Sequence, residues 1–574
     1  MKRLIYIIAA CVTLQSCNYL DFDETSSVYT EEDMYDTYTR CAQMLTNVYS
    51  YIPQDFGTID CAMRDCGSDD AEYANTAGTI QAMNNGNWSA TNTLDTQWTL
   101  YYGIRAANDF IQNVVDVDFS RYEYSTNYST WMDKLQYHVY EARVLRAHFF
   151  FELARRYGDI PMPTTALTIE QANELPKTSF EDVISFIVSE CSDSAPNLPI
   201  SYEVEVTGSE FGRVTQGFAL AVKTKALLYA ASPLHTTSDA DKWKSVARAA
   251  MEVMAVNRDG VQEYSLDTDG VFNSADQTSD EIIMLRLNSQ SSNFELYNFP
   301  VRFTYGNRSG SIYGVFPTQN LVETFQTTAG YSIELSEDGD WICADPNFDA
   351  QSPYALLDKR FARTVLANGD TFKDETIQLY EGGQDDNVID AGGSATGYFL
   401  RKYIAESTSF VQNATVTNYH NWIIYRYAET LLSYAEAMNE AFSPTYTDSE
   451  FTLSALGALN LIRANAGMPN IETTKAYETS YSTQSGLRTI IQNEWRVEFA
   501  FEDHRFWDIR RWKIGNTTTE IAGIGITLNS TTGEYSYSRN IYENRIWSDK
   551  MYLYPIPQSE LFANPNLAPQ NSGW

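Results

Sequence analysis

EARVLRAHFFFELARRYGDIP, residues 141–161, decides how this chain folds. Leu145, Phe149 and Leu153 recur every fourth residue, so an apolar stripe runs down the stretch and predicts a helix over about 136–157. Gly158 supplies the stop, because glycine accepts the backbone turn at a helix end, and Pro161 prevents a restart. The same periodicity recurs over 33–52, 98–115, 216–231, 422–441, 453–466 and 487–501. No rhythm of parallel strands separates these helices. Paired helices must stack on their neighbours to bury the apolar stripe, so the pattern predicts a mainly α scaffold of degenerate helical repeats.

Different material lies between the helices. Residues of about 260–410 are rich in Gly, Ser, Asn, Asp and Tyr, with short strand-like runs such as Glu281-Ile282-Ile283-Met284-Leu285. This predicts a loop-rich insert with small β elements. A second loop region, 53–95, contains Asp69-Asp70-Ala71-Glu72-Tyr73 and Asn84-Asn85-Gly86-Asn87-Trp88. Loops carried on a rigid frame are where binding residues gather.

The chain has 574 residues, 43% of them hydrophobic and 14% aromatic, which fits a folded body and excludes a disordered one. Its 39 Tyr and 11 Trp are flat, amphipathic side chains that serve cores and sugar platforms alike. A net charge of -35 leaves no basic stripe for a phosphate backbone, so nucleic acid is excluded as a partner and neutral ligands are favoured. Seven cysteines are present, and Cys61 and Cys66 are close enough to bridge across a loop. The five histidines are dispersed, so no metal site is expected.

The chain opens MKRLIYIIAACVTLQSC, with Lys2 and Arg3 before an apolar run too short to span a bilayer. Leu14-Gln15-Ser16-Cys17 resembles the lipobox of bacterial lipoproteins, so residues 1–16 read as a signal peptide and Cys17 as the lipidated N-terminus. Several acyl chains on one cysteine anchor durably in a membrane where one would not. Residues 17–30 read as an acidic tether, similar to the surface-export signal of Bacteroidetes lipoproteins, and 31–574 as a single folded domain.

Four segments, in order, resemble the SusD/RagB family of Bacteroidetes outer-membrane nutrient-binding lipoproteins. The first is 141–161; the second is VTQGFALAVKTKALLYAASP at 214–233. The third joins YRYAETLLSYAEA at 425–437 to NLIR at 460–463. The fourth combines EWRVEFAFEDHRFWDIRRW at 494–512 with YPIP at 554–557 and NPN at 564–566. The resemblance implies a SusD-like fold of tetratricopeptide-like helix pairs with long loops. It also implies display on the outer surface of the outer membrane, partnership with a SusC-like TonB-dependent transporter, and binding of a glycan without catalysis.

The residues themselves agree with an absence of catalysis. Glu494, Glu498 and Glu502 fall one helical turn apart, with Arg496, Arg505, Arg510 and Arg511 nearby, which reads as an ion-pair lattice. Paired carboxylates for glycoside hydrolysis would have to face a cleft, and here Trp495, Phe499, Phe501 and Trp507 surround them as core. The HExxH signature, the phosphate loop and the Gly-x-Ser-x-Gly elbow are all absent. Asp267-Thr268-Asp269-Gly270 looks like part of a calcium loop, but Ser265 and Asp276 stand at its first and last ligand positions, so a turn is expected. No cofactor is expected, although calcium sites built from scattered oxygens stay open.

A sugar offers apolar C–H faces and alternating hydroxyls, so its binder needs flat rings and fixed polar groups. In the family the resemblance points to, variable loops build the cradle, here 53–95 and about 300–345. Tyr73, Trp88, Tyr305, Tyr313 and Trp341 are the candidate platforms, with Arg64, Asp69, Asp70 and Asn87 as polar partners. Trp98, Trp495 and Trp507, on periodic helices, are expected in the core. A peptide-binding RagB-like receptor is the nearest alternative, followed by a glycoside hydrolase or a structural adaptor.

Overall fold

The helix expected around 136–157 starts earlier, at Tyr128, and runs 30 residues to Tyr157. It is seen in a computed structural model that describes residues 31–53, 57–202, 206, 210–268, 279–307, 314–386 and 393–574. Residues 1–30 with Cys17, Tyr313, and Asp269, Gly270 and Asp276 of the calcium-like turn lie outside the described residues.

Among the described residues nine longer helices carry the frame: α1 Tyr38–Ser50, α2 Leu100–Val114, α3 Tyr128–Tyr157, α4 Phe180–Ser194, α5 Gln216–Ala231, α6 Ala240–Met254, α7 Tyr427–Ala441, α8 Ala455–Asn465 and α9 Gln484–Glu498. Each packs against its successor, from α1 on α2 through to α8 on α9. This is the stacked succession of helix pairs that the periodicity implied. From Glu141 to Tyr157 every side chain of α3 except Arg143 is buried. The cause is position: α1, α2, α4 and α5 all pack on α3, so no face is left for solvent. Gly158 ends it with φ +71, its N–H donating to Ala154 O at 2.8 Å. Side-chain caps open other helices, as where Thr215 Oγ1 accepts from Phe218 N and Ser454 Oγ from Gly457 N. Each such cap contributes about 1 kcal/mol.

The sheets are small. The strands that matter are β1 Ala71–Tyr73, β2 Ile282–Arg286, β3 Val315–Pro317, β4 Trp422–Arg426, β5 Glu520–Leu528 and β6 Tyr535–Asn544. Among the described residues every sheet has two strands. The expected run at 281–285 is β2, and its partner corrects the helix expected over 422–441. Residues 422–426 form β4, antiparallel to β2, and the helix begins only at Tyr427. Trp-Ile-Ile-Tyr is β-branched and aromatic, and an apolar run of that length suits a strand once a partner edge is present.

One further expectation is corrected: Trp495 and Trp507 are core, but Trp98 is only half-buried. The sequence leaves a Cys61–Cys66 bridge open; Cys61 is exposed, Cys66 is buried, and no disulfide joins them.

Candidate functional site

The conspicuous charges of the sequence are consumed inside the frame. Arg426, at the end of β4, donates from Nε to Glu502 at 2.8 Å and from Nη1 to Glu498 at 2.8 Å and Glu281 at 2.6 Å. Arg360 Nη1 donates to Glu494 and Glu498, each at 2.7 Å, and Lys402 Nζ to Glu502 at 2.7 Å. The lattice is therefore real, with cations drawn from distant segments. The neighbouring Arg496, Arg505 and Arg511 pair instead with Asp70, Asp69 and Glu436. Burial alone would raise the Glu498 carboxyl, but Arg426 and Arg360 outweigh it and hold the group down at about 2. A carboxylate clamped by two guanidinium groups and held ionised has no proton to offer near neutral pH.

The eight sequence candidates among the described residues divide by burial. Arg64 is buried, donating to Asp503 at 2.6 Å and to Asp95 at 3.3 Å, with its guanidinium 5.4 Å from the Trp507 ring. Asp69 receives a two-pronged pair from Arg505 at 2.8 and 3.0 Å; burial raises its carboxyl, yet Arg496 and Arg505 bring it down to about 2. Asp70 is buried against Arg496, and Tyr73 is buried within β1. Trp88 is 3% exposed, boxed edge-on by Tyr554 at 5.2 Å and Trp574 at 4.6 Å. Trp341 is buried edge-on between Tyr354 and Tyr537. These six side chains are buried and engaged within the fold. Asn87 and Tyr305 are exposed.

The two loop regions do meet. β1 pairs antiparallel with β3, and Thr318 donates from its backbone N to Asp70 O at 3.0 Å and from Oγ1 to Asp69 O at 2.6 Å. Backbone makes the junction, and the side chains near it turn inward.

What remains outward is a rim of tyrosine and aliphatic side chains. Tyr305 is 57% exposed and sits in the left-handed region, φ 49 and ψ 40, which costs a bulky residue energy that the surroundings must overcome. Asn307 Nδ2 ties this turn to Thr304 O at 2.8 Å and to Phe410 O at 3.0 Å. From there Ser409 bridges to Val416 and Asn418 to Ser291, so the segments form one continuous edge. Val411, Val416, Tyr419 and Leu287 are all exposed along it. Behind it His420 Nε2 lies 2.6 Å from Glu295 Oε1, both buried.

The sequence reading does not single out Tyr419, because Asn418-Tyr419-His420-Asn421 falls between the loop-rich insert expected to about 410 and the helix expected from 422. Exposed tyrosines on a braced edge present ring faces and hydroxyls together. Among the described residues no group of three or more His, Cys, Asp or Glu is placed to hold a metal. None of the described helices is long and apolar enough to cross a membrane. The rim is equipped for contact.

Comparison with known proteins fixes the family. The SusD family pattern matches residues 272–574, more than half of the chain. SusD-like protein P2 of Formosa agariphila is 25% identical over 76% of this chain and 73% of its own length. SusD-like protein P25 of the same organism is 22% identical over 98% of this chain and 96% of its own. A solved SusD-like protein of Bacteroides fragilis NCTC 9343 superposes with a TM-score of 0.74 at 25% identity, covering 95% of this chain and 99% of that one. A solved protein described as a laminarin binding SusD-like protein shares the fold, with a TM-score of 0.58 at 21% identity, covering 93% of this chain and 99% of that one. With its helix succession, its buried motif segments and this match, the chain belongs to the SusD family.

Proposed function

We propose that this protein is a glycan receptor on the outer face of the outer membrane, tethered through an acylated Cys17. It captures oligo- or polysaccharide and hands it to a SusC-like TonB-dependent transporter. The observation that carries this reading is the exposed tyrosine rim of Tyr305 and Tyr419, held on a rigid frame whose conspicuous carboxylates are already paired. Solved family members described as carbohydrate binding and laminarin binding support the ligand class. The net charge of -35 favours a neutral polymer over an anionic one.

Handing on requires release, so affinities of about micromolar to millimolar, roughly 8 to 4 kcal/mol, suffice. Native electrophoresis through gels loaded with single polysaccharides tests the reading. A receptor is retarded by at least one polymer and leaves its chain length unchanged. Shortening of the polymer by homogeneous protein would make it a hydrolase, and binding only to peptides would move it to the peptide-receptor branch. Mobility unchanged by every polymer and peptide would leave an adaptor. A tagged copy in gently solubilised membranes should bring down a large β-barrel partner.

A further inference from the structure

A second concave surface lies on the helical frame, built from elements that the loop rim does not use. Trp98, Tyr101 and Tyr102, at the start of α2, form one wall of a cavity of about 230 Å³. The segment 161–175 crosses it as a strap, and α10, the short helix Gln558–Ala563, closes the third side with Glu560 and Ala563. We propose that this groove binds a single pyranose ring of a neutral glycan, as a second sugar subsite; the proposal rests on the glycan reading above.

The wall is fixed before any ligand arrives. Trp98 packs edge-on to Tyr157 at 5.1 Å and against Tyr101 at 5.0 Å. Tyr157 donates its hydroxyl to Thr96 O at 2.7 Å, and Tyr101 donates to Pro161 O at 2.8 Å. With both neighbours pinned, the half-buried indole loses little freedom when a ring stacks on it. Tyr102 stands 64% exposed at the mouth.

The hydrogen-bonding groups on offer select the ligand class. An extended peptide pairs with a free backbone edge, and carbonyls along the strap already accept side-chain hydrogen bonds. Asn108 Nδ2 donates to Pro163 O and Thr165 O at 3.0 and 3.1 Å, Arg146 to Thr164 O at 3.1 Å, and Arg105 to Leu167 O at 2.8 Å. Asn564 Nδ2 takes Ala172 O at 3.2 Å and Leu175 O at 2.8 Å. The lining also carries the polar side chains of Trp98, Tyr102, Asn173 and Glu560. Donors, an acceptor and a group that is both suit hydroxyls, which also donate and accept.

Charge and size narrow the ligand further. The charged residues of the lining are Arg105 and Glu560, one of each sign, so the lining carries no excess of either. The volume falls below the roughly 300–1,000 Å³ of sites that enclose drug-sized ligands, which fits one ring with its chain running out of the mouth. Two contacts on one polymer, at rim and groove, would also add avidity to two weak sites.

The experiment is a titration of the full chain with methyl pyranosides of glucose, galactose, mannose, xylose and fucose, read by intrinsic tryptophan fluorescence and by ligand-detected NMR. At least one pyranoside should bind. Tyr102→Ala and Glu560→Gln, both at the solvent edge, should each weaken it about three- to tenfold, the span of one ring or hydroxyl contact. Tyr124→Ala, at an exposed side chain outside both rim and groove, should leave this binding unchanged. Loss on Tyr305→Ala with no change on Tyr102→Ala or Glu560→Gln would overturn the groove while sparing the glycan reading. So would polysaccharide retardation with no pyranoside bound. Failure of both polysaccharide and pyranoside to bind would overturn both readings, and competition by a peptide alone would overturn the ligand class.

Discussion

The lattice around Arg426 and the rim around Tyr305 belong to one chain and use their side chains in opposite ways. Around Arg426, Glu281, Glu498 and Glu502 are all within 2.8 Å of the guanidinium, which lies 4.0 Å from the Phe499 ring. Around Tyr305, neutral and apolar side chains face solvent on a backbone held open by Asn307. The residues that look most like chemistry in the sequence are thus structural, and the surface available to a ligand is built from ordinary tyrosine and valine. In this protein, paired charge marks the frame and exposed aromatic surface marks the proposed site.

Removing one member of the lattice should break the frame most severely. Arg426→Ala would leave three buried carboxylates short of a partner, a loss of about 3 to 5 kcal/mol or more. Thermal unfolding should show a large drop in Tm or no folded protein. An unchanged Tm would mean that the lattice does not hold the frame. Trp88→Ala sharpens the contrast from the aromatic side. Its ring is enclosed by Tyr554 and Trp574, so truncation should cost about 3 to 5 kcal/mol of stability. Weakened glycan binding at full stability would instead return Trp88 to the site.

Acid offers a gentler probe. The Glu498 and Asp69 carboxyls are held at about 2 in the folded protein, below the roughly 4.3 and 3.9 of the unfolded chain. Their contribution is complete above about pH 5 and is lost as the pH falls through 2, each group supplying on the order of 2 to 3 kcal/mol. Denaturant midpoints should therefore fall from pH 5 toward 2, by less than the sum of the two because burial raises the neighbouring Asp70 and Glu281 carboxyls, which act in the opposite direction. A midpoint flat across that window would contradict the pairing.

The frame was legible because local rules and tertiary packing agree along it. In residues 141–161 the apolar spacing, the glycine stop and the proline all point to one helix, and the helix is there. At 422–426 they part company: the apolar run fits either period, and only the edge supplied by β2, far away in sequence, makes it a strand. The site was less legible for the same reason. Trp88 sits among Asn and Gly and looks like a loop platform, yet Tyr554 and Trp574, from the other end of the chain, cover it. Arg64, Asp69 and Asp70 find their partners more than 400 residues away, at Asp503, Arg505 and Arg496. Only Tyr305 and Asn87 among the described candidates stay exposed, and Tyr419 carried no pattern that would single it out.

The central claim is that the exposed tyrosine rim captures glycan without taking part in the fold. Calorimetric titration of a Tyr305→Ala, Tyr419→Ala double variant, with a polysaccharide that retards the wild type, tests it most directly. Two lost aromatic contacts should lower the affinity about tenfold or more, while surface truncation leaves Tm nearly unchanged. Wild-type affinity in the double variant would contradict the claim.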